Sequence, residues 1–284
     1  MSEREALFWQ KEQDLAARCD LCPRGCVVPL GGTGFCGARG NSGGALLAAG
    51  YGHISSAALD PVEKKPLRHF FPGKYIFSVG GYGCNLCCPF CQNSAISREH
   101  GNAWRTEEPA APKAVAENAV SLVPKGNIGV AYTYNEPFIN YEFMRDCAAL
   151  AHEAGLMNVA VTNGYVRAEP LREILPYLDA MNIDLKGWGE GFYKKLGGGF
   201  DTVKDTVAIA SKCCHVEVTT LVIPGENEEH IEQIAAFIAS VDAEIPLHLT
   251  PFYPRYKYSD RKPTPPDTLR ALRRKAREYL DYVY

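Results

Sequence analysis

Cys84, Cys88 and Cys91 stand in the run GGYGCNLCCPFCQN, a CxxxCxxC spacing that draws three thiolates from one short loop. Thiolates are soft ligands suited to iron-sulfur clusters, and three of them on a four-iron cube leave one iron open to a ligand that is not protein. An open iron can chelate a substrate, and that is the chemistry this spacing predicts. Gly81 and Gly83 allow the backbone to turn closely around a cube. A zinc knuckle or unused thiols would be the bland alternative. The apolar strand pattern just before the loop, and the aromatic Phe90 before its last cysteine, weigh against it. Cys87 is a fourth thiol inside the loop; its neighbour Cys88 fits the spacing, so Cys87 is read as a spare.

A second thiol group lies upstream. Cys19, Cys22, Cys26 and Cys36 form CDLCPRGC followed by GGTGFC, two pairs brought together across a glycine-rich turn. Four thiolates can close a tetrahedral site, which suits structural zinc; a second iron-sulfur cluster fits the same spacing. The two groups hold eight of the eleven cysteines, and the N-terminal MSEREALFWQKEQ has no apolar export core. Metal ligation in a reducing compartment therefore explains the cysteines better than disulfides do. Cys147, Cys213 and Cys214 fall in or beside amphipathic helices and are read as packing residues.

The elements that must position these thiols begin at about residue 74, where short apolar runs alternate with amphipathic stretches. Strands are predicted at 75–80, 128–134, 157–162, 180–185, 215–222 and 246–250, and helices near 110–123, 138–153, 169–177, 201–213, 227–241 and 266–281. Asn227 with Glu228 and Glu229, Gly164, and Pro265 with Pro266 mark boundaries. This is the α/β pattern of a partial (βα)6 TIM-like barrel. Residues 1–73 break the alternation and show one early helix, roughly Glu5 to Ala17; they read as a small Cys-rich metal-binding module and linker, with the barrel at 74–284.

In such barrels sites form at the C-terminal strand ends. The second strand ends at Thr133 to Pro137, where Glu136 can accept from an ammonium group or simply stabilise the next helix dipole. The third ends at Thr162 and Asn163. The fourth ends at Asp184 and Lys186, two apart and so on one face, aimed at the barrel mouth or joined as a plain ion pair. His248 alternates with Leu247 and Leu249 and so faces the interior, as a functional group or a satisfied core histidine. Glu63, Lys64, Lys65 and His69 are read as a solvated loop rather than substrate contacts.

A net charge of -3 with a pI near 6.2 and scattered Lys and Arg gives no footprint for nucleic acid. No run approaches the roughly 18 apolar residues of a membrane span, so a cytoplasmic protein is expected.

The CxxxCxxC loop after a barrel strand resembles the signature of the radical S-adenosylmethionine (SAM) superfamily. GHISSAALDPVEKKPLRHFFPG, TYNEP, TNGY, NIDLKG and LTPFYPRYKYSDRKPTP extend the resemblance over nearly the whole chain to radical SAM enzymes of the AmmeMemoRadiSam system, a branch related to pyruvate formate-lyase activating enzymes. The resemblance implies a [4Fe-4S] cluster that cleaves SAM to methionine and a 5'-deoxyadenosyl radical, which abstracts hydrogen from the substrate. It places Phe90 beside the adenine. It makes the segment around Asn135 and Glu136 the counterpart of a glycine-glycine-glutamate motif, although only Glu-Pro matches, and puts Thr162, Asn163, Asp184 and Lys186 in the SAM site. It also implies a low-potential flavodoxin or ferredoxin as reductant, and a glycyl-radical enzyme or other protein as substrate. A small molecule or peptide is the alternative substrate. A non-catalytic iron-sulfur carrier or zinc scaffold is the alternative of another class, disfavoured because a carrier needs no SAM pocket.

Overall fold

A computed structural model describes residues 4–98 and 108–284. Its centre is a parallel sheet whose strands are nearly continuous apolar runs, as befits strands covered on both faces. In chain order these are β7 (Tyr75–Gly80), β8 (Asn127–Tyr132), β9 (Met157–Thr162), β10 (Ala180–Asp184), β11 (His215–Val222) and β12 (Leu247–Pro251), each paired in parallel with the next. Helices Pro112–Ser121, Tyr141–Glu153, Ala168–Ile174, Phe200–Ala210, Ile231–Val241 and Pro266–Ala276 supply the crossovers and the outer layer. The fold is a partial TIM-like barrel. Val130, Val159, Met181, Ile183, Val218 and Leu247 are fully buried in its core. Among the described residues no helix is long and apolar enough to cross a membrane.

Two features depart from the sequence reading. The first is a seventh strand: β6 (Ser56–Pro61) pairs antiparallel with β7 along its whole length, so part of the segment assigned to the linker belongs to the barrel sheet. SAALDP lacks a period-two pattern and ends in proline, which only an edge strand tolerates. The second is a correction. Residues Glu5 to Ala17 form no α-helix; they give β1 (Trp9–Lys11), a single 3-10 turn at Gln13–Leu15, and the start of β2 (Ala17–Cys19), which pairs antiparallel with β1 and with β3 (Val27–Val28). A helix would spend its backbone groups internally. Here Leu7 N donates to Glu142 at 2.6 Å, Leu7 O accepts from Arg39, and Phe8 O accepts from Asp20 N, so tertiary partners hold the chain extended. A hairpin of β4 (Gly40–Ser42) and β5 (Ala45–Leu47) completes the module.

Residues 62–70 fold inside the barrel as its floor. Asn182 donates to Pro66 O at 2.8 Å, and Glu217, fully buried on β11, accepts from Arg68 N and His69 N at 3.0 and 2.8 Å. Glu217 also meets His215 at 3.0 Å and His248 at 2.5 Å. His248 is therefore a satisfied core histidine bound to a carboxylate. Burial alone would raise the Glu217 pKa, but the bonds from the two histidines and two backbone amides outweigh it and hold the carboxyl down to about 2. The stability it contributes is full above its unfolded value near 4.5 and is lost as pH falls toward about 2. Glu217→Ala removes the shared acceptor of four donors, of which His248 is buried; a loss of about 2–4 kcal/mol is expected by denaturant unfolding at pH 7, with a shallower acid limb than wild type.

Candidate active site

Seven-residue spacing brings Cys84, Cys88 and Cys91 back to one wall of a cavity of about 390 Å³ at the C-terminal edge of the sheet, a size that takes a small-molecule ligand. All three are free thiols. The loop turns at Gly83, whose φ of +89° suits glycine, and a Cβ there would lie 2.0 Å from Cys36 O. Gly83→Ala is expected to cost at least about 1–3 kcal/mol in thermal unfolding and to disorder the thiol loop, seen as weakened iron retention. Cys84 Sγ accepts from Leu86 N at 3.4 Å and from Asn163 Nδ2 at 3.6 Å, bonds of the kind that steady a cluster thiolate. Burial pushes the Cys88 thiol up to about 12, against the pull of Lys186, and Cys84 higher still. A metal bound there would have to displace protons.

Cys87 turns away from this cavity: its N–H and its Sγ both donate to Leu196 O, at 2.8 and 3.3 Å. Phe90, 5% exposed, lines the cavity with its ring 6.0 Å from that of Tyr258.

The other strand ends meet on the same cavity. Glu136 is 2% exposed and accepts from Thr162 Oγ1 and Asn163 N at 2.8 Å and from Phe138 N at 3.1 Å. It thus caps the turn Pro137–Asn140 and also ties the end of β8 to that of β9. Burial pushes its carboxyl up to about 7, although the three donors and Lys186 oppose the shift. Asn135 Oδ1 accepts from Gly81 N at 2.9 Å while its amide donates to Gly83 O at 3.1 Å, clamping the thiol loop. Asn163 bonds Asn85 Oδ1 at 2.9 Å. Asp184 and Lys186 form an ion pair at 2.8 Å beside Cys88; burial works against the ammonium, but Asp184 and Cys88 keep it charged.

One reading of the linking segment is corrected here. Lys65 is buried rather than solvated: it is 3% exposed, lines the cavity and pairs with Asp60 at 2.8 Å. Asp60 also accepts from Tyr134 OH at 2.6 Å, and Tyr134 sits at a left-handed φ of +70° with Lys65 Nζ 4.6 Å from its ring centroid. The Asp60–Lys65–Tyr134 group was invisible to strand-end reasoning because two of its members lie on β6 and the floor. Lys64 is mostly exposed, Glu63 accepts from Gly73 N, and His69 bonds Tyr284 OH. Cys147 is buried in its helix, Cys214 is half-buried, and Cys213 is exposed rather than packed.

Cys19, Cys22, Cys26 and Cys36 line a different, much smaller cavity together with Arg39 and Asn85.

A family model of the radical SAM superfamily matches residues 78–238, from β7 through the helix after β11. The chain belongs to the radical SAM superfamily. The matched span carries the CxxxCxxC loop and every strand-end residue that lines the large cavity from β8 to β10. A Methanocaldococcus jannaschii protein designated MJ0808, itself uncharacterized, is 42% identical to this radical SAM chain over 99% of it and 84% of the relative. A pyruvate formate-lyase-activating enzyme of Clostridium pasteurianum is 25% identical over 60% of this chain and 72% of its own length. Among solved structures, Streptococcus suis SuiB bound to precursor peptide SuiA superposes with a TM-score of 0.53 at 14% identity, covering 71% of this chain and 46% of SuiB. At that identity the likeness is one of fold.

Proposed function

We propose that this radical SAM protein binds a [4Fe-4S] cluster through Cys84, Cys88 and Cys91 and cleaves SAM reductively, as an enzyme that generates a radical on a partner protein. The observation that carries the reading is a single cavity shared by three free thiols and the polar ends of β8, β9 and β10. The residues fit the group: the thiols come from one loop, Cys84 is already met by two N–H donors, and a spare fourth thiol is held elsewhere. When bound there, the cluster and SAM supply an electron and a carbon-centred radical able to take a hydrogen atom.

The chain's own residues bind and orient. Ionised Glu136 presents a carboxylate edge to an amino group while its three donors fix its rotamer. Asn163 spans Cys84 and Asn85, so a ligand on the β9 end and the thiol loop move as one. Lys186, paired with Asp184 and kept protonated, places a cation beside Cys88 that favours the thiolate. Phe90 offers an apolar face for a nucleobase.

Support for a protein substrate comes from the relatives. Besides the clostridial enzyme, a putative glycyl-radical enzyme activating enzyme of Methanocaldococcus jannaschii is 25% identical over 75% of this chain and 89% of its own. Reduction of the cluster calls for a low-potential flavodoxin or ferredoxin. The test is anaerobic loading with iron and sulfide, then SAM with a strong reductant, with and without a candidate glycyl-radical partner. 5'-Deoxyadenosine together with a protein radical signal is the expected result. 5'-Deoxyadenosine with no radical on the partner overturns the activase reading, and its absence from fully loaded protein overturns SAM cleavage.

A further inference from the structure

We propose that Cys19, Cys22, Cys26 and Cys36 hold a second metal group, a zinc ion or an iron-sulfur cluster closed by four thiolates, packed against the loop that carries the first three cysteines. The four are spread over eighteen residues of sequence and three backbone segments, yet they line one small cavity and none is in a disulfide. The backbone is folded to deliver them. Cys19 N donates to Cys26 O at 2.9 Å and Gly25 N to Cys22 O at 3.2 Å, closing the first loop around Gly25 at φ +58°; Gly37 N donates to Gly34 O at 2.9 Å and turns Cys36 inward from the second. No three side chains are yet drawn around one ion among the described residues, so metal binding pulls the thiols together from these positions.

A second observation points to a missing acceptor at this cavity. Arg39 lines the same cavity, is 1% exposed, and leaves its Nε buried with no hydrogen-bond partner among the described residues, although its other nitrogens reach Glu142 and Leu7 O. Its charge is already balanced by the buried Glu142 carboxylate at 2.8 Å, so what is left over is the Nε–H, a buried donor for which a thiolate on this wall is a fitting acceptor. The module's sheet strands have only three, three and two residues, and its buried Ala6, Ala17, Leu21, Val28 and Leu46 pack into the barrel's core rather than forming one of their own, so a metal staple would brace the loops between those strands. Four protein ligands leave no open position, which marks the centre as structural rather than as a second place for SAM.

The centre adjoins the first cluster's loop. Asn85 belongs to the wall of this cavity, Cys36 O occupies the space a Cβ of Gly83 would need, and Arg24 donates to Asn85 O. Phe35, next to Cys36, lies between Arg24 and Arg98 at 3.6 and 4.4 Å, and Arg98 donates to Cys84 O at 3.0 Å.

The proposal does not depend on the first cluster, and the experiment keeps the two apart. A Cys84→Ala, Cys88→Ala, Cys91→Ala variant is purified anaerobically, and zinc, iron and acid-labile sulfide are counted per folded chain. One zinc, or about four iron with matching sulfide, is the expected result and names the group. Neither metal above background in a protein with wild-type circular dichroism overturns the proposal. Should the variant not fold, the wild type loaded with iron and sulfide decides: about four iron beyond the first cluster, or one zinc beside it, supports the site, and about four iron in total with no zinc overturns it. Adding Cys19→Ala and Cys36→Ala is expected to remove the second metal and no more; a chain that keeps its full complement also overturns the assignment.

Discussion

Replacement of Cys84, Cys88 or Cys91 by Ala is expected to reduce 5'-deoxyadenosine formation to the level of the cluster-free protein, while Cys87→Ala leaves turnover within a few-fold of wild type. The contrast follows from where the four sulfurs point. Three share the wall of one cavity, whereas Cys87 spends both its N–H and its thiol on Leu196 O. On the proposed assignment, removing a ligand would leave a cube with two protein sulfurs, and Cys87 is held off the cavity by its own two bonds to Leu196 O. Iron content measured on the same four variants separates loss of the cluster from loss of chemistry. A Cys87→Ala protein that cannot be loaded, beside a Cys88→Ala protein that can, would move the ligand set by one residue.

The second large effect is expected at Glu136. Its carboxyl is pushed from 4.5 up to about 7, with burial the leading cause. The folded protein therefore keeps this proton to higher pH than the unfolded chain does. Stability from this group is greatest below about 4.5 and declines as pH rises through about 7, by up to about 3 kcal/mol. Glu136→Gln removes that slope, because an amide does not titrate. It also sets an NH2 against one of the N–H or O–H groups of Phe138, Thr162 and Asn163, which costs about 1–3 kcal/mol and is expected to weaken SAM binding by a similar amount. Chemical unfolding of both proteins between pH 5 and 8, with equilibrium SAM binding at pH 8, measures the two effects. Parallel pH curves would show that Glu136 does not carry the extra proton.

Much of the barrel was legible because its strands are buried on both faces and announce themselves as apolar runs; β9 and β11 fall at the predicted residues. The place of the thiol loop was legible because it follows a readable strand, whose C-terminal end opens on the cavity that the three cysteines line. Three things were not legible. The run ALFWQKEQDLAA has helical spacing, and tertiary partners, Glu142 135 residues on, Arg39, and the pairing with β2, make it strand and turn. β6 gains its place from pairing with β7 rather than from its own pattern. Lys65 reads as one charge in the run EKK, and nothing local shows that Asp60 and Tyr134 receive it inside the barrel. In each case the deciding partner lies outside the local pattern, where periodicity carries no information.

The floor of the barrel has a kinetic consequence. Arg68 and His69 find their carboxylate 149 and 148 residues further along the chain, and Pro66 its amide 116 residues on. These closures cannot reward the polypeptide until β10 and β11 have joined the sheet, and long loops pay their entropy first. Refolding should therefore show an early phase in which the outer helices acquire their amide protection and a slower one in which residues 62–70 thread into the concave face, so that a chain interrupted before β11 leaves that stretch open to proteases.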